Sequence, residues 1–229
     1  MTAVPSEQVA EALHDVAARL GGFFALDTTP ARRSPGRQLA HAGLAERARA
    51  VNDHYDTATE PRIGASIAHL GLAARLWSPV LACALVHGIV PTMSAVEWSG
   101  EGSALRLPGP EGRRAPELPA LADAVYTEVD HMLERVESGL TTKVAPRLLA
   151  GNSASALVGS AAQLLRIRPD LRTEITFLTR ELLEVGRLRG TGRITGPGLA
   201  FRRRSCCLFY RAPSGGKCGD CCLVGTRTR

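Results

Sequence analysis

The spacing of apolar residues changes period several times along the chain, and each change predicts an element. Between residues 6 and 20, Val9, Leu13, Val16 and Leu20 recur at helical spacing on one face, and Gly21-Gly22 ends the run. Phe23 to Leu26 is compatible with a short strand. Thr28 to Arg37 holds two prolines, a glycine and three arginines and reads as a water-facing loop. A second helix is expected from about Leu39 to Asp53, with Leu44, Ala48 and Val51 inward, and a break at Asp56 to Pro61 follows it.

From about Arg62 to Gly88 the chain is strongly apolar, and Leu76 to Val96 runs for 21 residues without a formal charge. That length would permit a membrane span. Ser78-Pro79 reads as an N-cap with a first-turn proline, and Gly88 and Pro91 read as a stop. The stretch is therefore expected to divide into two helices, Arg62 to Leu76 and Pro79 to His87, meeting at Trp77-Ser78 in the domain centre. Ten residues do not cross a bilayer, so no membrane span is expected.

Ser94 to Ser99 and Ser103 to Leu107 alternate around Gly100-Glu-Gly102, the pattern of a β-hairpin. Leu107 to Pro116, rich in proline and glycine, reads as a flexible loop. Helical periodicity then returns at about Leu118 to Glu137, Thr142 to Leu165 and Pro169 to Leu188. The first turns Leu121, Val125, Val129, Met132 and Val136 inward; the last turns Ile175, Leu178, Leu182 and Val185 inward. Gly190-Thr-Gly192 and Gly196-Pro-Gly198 read as a linker. The expected fold is α+β and mainly α-helical: a helical domain over residues 1–189 with one β-hairpin, and a small C-terminal lobe over 190–229.

Composition changes this picture little, but the placement of charge changes it more. The 229 residues are 45% apolar and 22% charged, ordinary for a globular chain, with only 4% aromatics. Such a core relies on Leu, Ala and Val, which suits closely packed helices. The formal net charge is +6, and the last 29 residues account for it, with seven basic side chains against Asp220; the first 200 residues are balanced. No aromatic-interleaved basic patch or helix-turn-helix pattern accompanies the basic tail, so no nucleic-acid partner is expected.

That tail also holds five of the six cysteines. Cys206, Cys207, Cys218 and Cys221 form C-C-x10-C-x2-C, and Pro213-Ser214-Gly215-Gly216 supplies a turn that returns Cys218 towards Cys206. Gly219, between the last pair, lets backbone amides point at thiolate sulfur. The N-terminal residues show neither a basic run nor an apolar one, which leads us to expect a cytoplasmic protein with reduced thiols rather than disulfides. Four cysteines can close a tetrahedral zinc site. Zinc knuckles, however, usually separate both members of each pair, whereas Cys206 and Cys207 are adjacent. Neighbouring side chains in extended backbone point to opposite faces, which suits two irons with bridging sulfides better than one small ion.

C-C-x10-C-x2-C, introduced by Arg202-Arg203-Arg204-Ser205 and followed by Leu223, resembles the C-terminal signature of the ferric-siderophore reductase family of the FhuF type. The resemblance is close over about residues 201 to 223. It is looser over Gly71 to Val80 and Gly151 to Leu157, and elsewhere extends only to length and texture. It implies a 2Fe-2S cluster held by Cys206, Cys207, Cys218 and Cys221, and one-electron reduction of a ferric siderophore, of the hydroxamate kind. Cys222 departs from the pattern and leaves open whether the last ligand follows two or three intervening residues.

No glycine-rich phosphate or dinucleotide loop stands in context, so electrons are expected from a separate donor protein such as a ferredoxin or flavoprotein. Arg202, Arg203, Arg204, Arg211 and Lys217 are candidates for docking that donor or tuning the cluster potential. Trp77, Ser78 and Asn152 fall in the looser family-like blocks and are candidates for a substrate pocket, against the plainer reading of a packing tryptophan and an interhelical hydrogen bond. The six histidines show no metal-ligand spacing, and Cys83 reads as an inert core thiol. Two readings of other classes remain: a zinc-stapled binding protein, and an iron–sulfur sensor without reductase activity.

Overall fold

The computed structural model describes residues 2–29, 37–38, 43–55, 59–99, 104–118 and 120–224. Among them the elements run β1 (Ala3–Val4), α1 (Ser6–Leu20), β2 (Arg37–Gln38), α2 (Gly43–Asp53), α3 (Pro61–His87), β3 (Ile89–Pro91), β4 (Glu97–Trp98), β5 (Leu105–Arg106), β6 (Gly112–Arg114), α4 (Ala120–Glu137), α5 (Pro146–Ile167), α6 (Arg172–Leu182), β7 (Gly192–Ile194) and β8 (Phe201–Arg203). The fold is α+β and mainly helical, as expected.

α3 is the central element, packed against α5, α2, α1 and α4. It is one continuous helix of 27 residues with Pro79 inside it, not two helices meeting at Trp77-Ser78. A proline removes one backbone hydrogen bond and normally kinks or ends a helix. Here Leu76, Trp77, Val80 and Leu81 are all essentially solvent-free, and this dense packing on both sides of the proline holds the helix together. α3 and α5 are each long and apolar enough to cross a membrane, so the expected break at Pro79 does not decide that question; both helices are mostly buried inside the protein.

The inward residues expected for α1 and α4 are all buried, and so are Ile175, Leu178 and Leu182 of α6. α5 begins at Pro146 rather than Thr142, because a proline at the first helical position is pre-set for initiation. The run from Pro169 divides into a 3-10 turn, Pro169–Leu171, then α6, then a second 3-10 turn, Gly186–Leu188. Phe23 lies in a 3-10 turn, Gly22–Phe24, not a strand. Most of the loop expected at 28–37, the start of the second helix at 39–42, the break at 56–58 and the hairpin tip at 100–103 lie outside the described residues.

The expected hairpin forms as β4 and β5, with Trp98 opposite Leu105 and β2 on the outer side of β4. The stretch read as a flexible loop, Leu107 to Pro116, instead contributes β6, the middle strand between β1 and β3. Gly112 fits there because a side chain at that point would press on Val9, Ile89 and the Val90 carbonyl. The glycine-bracketed segment after α6 forms the hairpin β7–β8, whose strands pair Gly192 with Arg203 and Ile194 with Phe201. Through β8 the tail is joined to the helical body, packing on α5 and α3.

Candidate metal centre

Two apolar helices carry polar residues where the tail meets them. On α3, Ser66 is buried and its Oγ donates to the Cys207 carbonyl (2.7 Å). On α5, Asn152 Nδ2 donates to the Ser66 carbonyl (2.9 Å) and reaches Ser66 Oγ (3.1 Å). Asn152 Oδ1 in turn accepts from Arg203 Nη2 (2.7 Å). One turn along α5, Ser155 bonds the Asp220 carboxylate, and the Arg203 amide donates to the Asp220 carbonyl (3.1 Å). Both arms of the cysteine loop are thus fastened to the helices by hydrogen bonds. Gly151 allows the approach, since a methyl group there would collide with Ser205 Oγ and Arg203 Nη2.

Within the loop, a 3-10 turn at Phe209–Arg211 and the bend at Ala212 to Gly215 bring the two cysteine pairs together. The left-handed residue of that bend is Ser214 (φ 60°), not one of the two glycines. Gly215 serves close approach instead, to the Phe209 carbonyl. Leu208 also adopts a left-handed backbone (φ 66°), a conformation that a branched side chain disfavours and that tends to occur at functional sites. It turns the Leu208 amide back onto Cys206 Sγ (3.3 Å), and the Leu223 amide points likewise at Cys221 Sγ (3.4 Å).

All six cysteines are free thiols. Cys207 Sγ lies 3.4 Å from Cys218 Sγ. Burial, the Asp220 carboxylate and Cys207 together push the Cys218 thiol well above its ordinary value. Cys222 is also raised, by burial first and then by the nearby Cys206 and Cys221. Cys207 and Cys218 are thus in direct contact, and Cys222 lies within electrostatic reach of Cys206 and Cys221. Among the described residues no three of His, Cys, Asp and Glu converge on a single point as one metal ion requires. Cys83 stands apart, fully buried in the core, its thiol pushed up by burial to about 12.

Residues 203–223 match the family model of the FhuF 2Fe-2S C-terminal domain. Over these 21 of the chain's 229 residues the tail is similar to an FhuF-type 2Fe-2S domain. No curated protein and no solved structure matches the chain. The donor set of this FhuF-like tail fits a 2Fe-2S cluster: it offers a surplus of free thiols, amide N–H groups aimed at two of the sulfurs, and basic side chains nearby.

The other candidates divide. Trp77, Ser78 and Asn152 are all fully buried, and each has its polar group engaged inside the protein. The Trp77 indole donates to Ser153 Oγ (3.0 Å) and Ser78 Oγ to the Phe23 carbonyl (2.7 Å), so these two are fastening residues at helix contacts rather than walls of a pocket. Asn152 belongs to the same class, but what it fastens is the cysteine loop. Among the basic candidates, Arg203 is only 2% exposed and is not available to a docking protein. Arg211 pairs with Glu60, Arg202 reaches the Cys222 carbonyl (3.5 Å), and Arg204 and Lys217 are exposed.

A second polar cluster lies next to this one and was not visible as a pattern in the sequence. Arg187 donates through Nε to Asp130 (2.5 Å) and through Nη1 to Glu137, while His69 Nε2 donates to Glu137 Oε1 (2.7 Å). Burial raises the Glu137 carboxyl, but the bonds from His69 and Arg187 outweigh it and hold the group below its ordinary value. The same carboxylates hold the Arg187 guanidinium protonated against the opposing effect of burial. Ser66 and His69, three residues apart on α3, place the two clusters side by side. The available signal was a serine and a histidine three residues apart within a largely apolar helix.

Proposed function

We propose that this protein is a one-electron ferric-siderophore reductase of the cytoplasm, taking electrons from a separate donor protein such as a ferredoxin or flavoprotein. The observation that carries the reading is the family-matched tail itself, with free thiols from both cysteine pairs brought into contact and the loop fastened to the helical body. We assign Cys206, Cys207, Cys218 and Cys221 as the ligands. Cys221 is preferred over Cys222 because its sulfur receives a backbone N–H from two residues ahead, as the sulfur of Cys206 does.

When bound, the cluster supplies a single electron, which converts Fe3+ in the chelate to Fe2+. The chain's residues set the conditions for this step. The amides of Leu208 and Leu223 stabilise negative charge on the sulfurs, and Arg202, which reaches the Cys222 carbonyl, adds positive charge close by; both influences favour the reduced state. Ser66, Asn152 and Ser155 fix the loop, so little rearrangement need accompany the change of charge. Hard oxygen ligands hold Fe3+ by its charge density, and the loss of one charge loosens their grip; no acid or base group is required. The hydroxamate class is what the resemblance implies for the substrate.

The test is anaerobic turnover of a ferric siderophore by the reduced protein, followed by trapping Fe2+ with a chromogenic ferrous chelator. Turnover that depends on Cys207 and Cys218 is expected. A protein that carries the cluster but never releases Fe2+ from any ferric siderophore, with a competent donor present, would instead be a sensor.

A further inference from the structure

A cavity of about 410 Å3 opens directly beside the cysteine loop, lined by Arg147, Ala150, Arg187, Arg189, Gly190, Thr191, Arg204 and Ser205. Three segments build it. Arg147 and Ala150 come from the first turns of α5, and Arg187 to Thr191 form the strap between α6 and β7. Arg204-Ser205 leads straight into Cys206. The walls are joined by the Arg204 amide, which donates to the Thr191 carbonyl (2.7 Å). The volume falls within the range of small-molecule sites.

Four of the eight lining residues are arginines and none is acidic. Arg187 is held in position from behind by Asp130 and Glu137. Arg189 is tethered by two bonds to the Glu184 carbonyl. Arg147 and Arg204 are exposed, and their side chains have no hydrogen-bond or ion-pair partner among the described residues. Behind Ser205 lies a fifth guanidinium, that of Arg203, 2% exposed, with Nε and Nη1 unpartnered and Nη2 within 3.5 Å of Ser205 Oγ. Asp130 and Glu137 balance Arg187 and the Glu184 carboxylate lies 3.9 Å from Arg189, but Arg147, Arg203 and Arg204 have no carboxylate partner among the described residues; such charges repel each other unless an anion joins them, and guanidinium forks suit carboxylate and catecholate oxygens.

We infer that this arginine-lined cavity is the seat of the ferric chelate, and that it selects chelates of net negative charge. The inference rests on the reductase reading and narrows it. Three hydroxamates neutralise Fe3+, so a plain tris-hydroxamate offers these arginines no net charge. A chelate with catecholate donors, or a hydroxamate chelate with pendant carboxylates, does. Seated there, it would lie next to Ser205 and therefore beside Cys206, one residue along the chain.

The test separates binding from reduction by using gallium(III), which has the charge of Fe3+ but does not take up the electron. Binding of gallium(III) tris-catecholate, which is anionic, and of gallium(III) tris-acetohydroxamate, which is neutral, is measured by calorimetry on the cluster-loaded protein. The anionic complex is expected to bind more tightly and to weaken as salt is raised. Arg147→Gln should weaken it about tenfold, as should Arg204→Gln, each removing one charge-assisted contact. Neither variant should change the neutral complex, and Arg147→Gln should leave the reduced cluster's EPR signal intact.

Equal affinity for the two complexes, or anion binding indifferent to both substitutions, would overturn the inference. So would Arg147→Gln slowing electron uptake from an acidic donor protein while chelate binding stayed the same. If anionic gallium complexes bind through the arginines but ferric ones are never reduced, the anion site stands and the reductase reading falls.

Discussion

The two halves of α5 show two ways of holding a protein together. Its C-terminal half presents Leu157, Val158, Ala161, Leu164 and Leu165 to the core, where contact is non-directional and any well-filling apolar group serves. Its N-terminal half presents Gly151, Asn152, Ser153 and Ser155, each meeting a named atom of α3 or of the cysteine loop. The first half stabilises by area buried; the second specifies position. A loop whose sulfurs must be placed for a metal cluster is fastened by the second kind, which gives little stability if half-satisfied but fixes geometry when complete.

The comparison is broken most severely at the sulfurs. Cys206→Ser, Cys207→Ser and Cys218→Ser should each lose the cluster, read by visible absorption and iron content, while Cys83→Ser, on the apolar side, should retain it. Cys221→Ser is expected to behave like the first group and Cys222→Ser like Cys83→Ser; the reverse result would assign the last ligand to Cys222.

Next in size is Asn152→Leu, which keeps the number and branching of side-chain heavy atoms but removes the only side-chain oxygen among the described residues within 3 Å of the Arg203 guanidinium. Leaving a buried guanidinium N–H without its acceptor costs about 3 kcal/mol. Leu157→Ala in the other half costs a similar 2–5 kcal/mol by opening a cavity. The two should differ in kind: denaturant melts report both, but only Asn152→Leu should also reduce cluster occupancy at equal folded fraction. Gly151→Ala comes below these, at about 1–3 kcal/mol for forcing Ser205 and Arg203 aside, with the same signature of tail displacement.

The neighbouring ionic cluster adds a dependence on pH. Glu137 is held below its ordinary carboxyl value, so its contribution is fully present above that ordinary value and is lost as pH falls through the depressed one. Glu137→Gln should therefore be less stable than the parent at neutral pH, and the two stability curves should converge under strongly acidic conditions. A constant gap across the whole range would mean that packing, not charge, is at stake. The smallest effect is expected at Leu208→Gly: relief of a left-handed backbone gives roughly 1 kcal/mol or less of added stability, offset in part by the flexibility of glycine in the unfolded chain.

The sequence was informative where one residue type has one use. Four inward positions of α1 at helical spacing, five of α4 and the β4–β5 alternation were all legible, because apolar periodicity is a direct consequence of a one-sided core. Punctuation was less reliable. Pro79 lies inside a helix because neighbours on every side hold it, and Gly112 lies inside a strand because close packing excludes a side chain; both outcomes depend on tertiary contacts that local sequence does not contain. The cysteine spacing revealed the metal tail, but nothing in it told that Ser66, Asn152 and Ser155 would fasten the loop. The arginine cavity was hidden for the same reason: Arg147, Arg187 and Arg204 are far apart in the chain and meet only when the tail folds against α5.

The most direct measurement is the visible and EPR spectrum of the anaerobically purified protein before and after dithionite, together with iron, zinc and sulfide analysis. A red-brown protein with two irons and two sulfides per chain, EPR-active only when reduced, is the predicted result. A colourless protein that carries zinc and takes up no iron on reconstitution would contradict it, leaving a helical protein with a zinc-stapled tail.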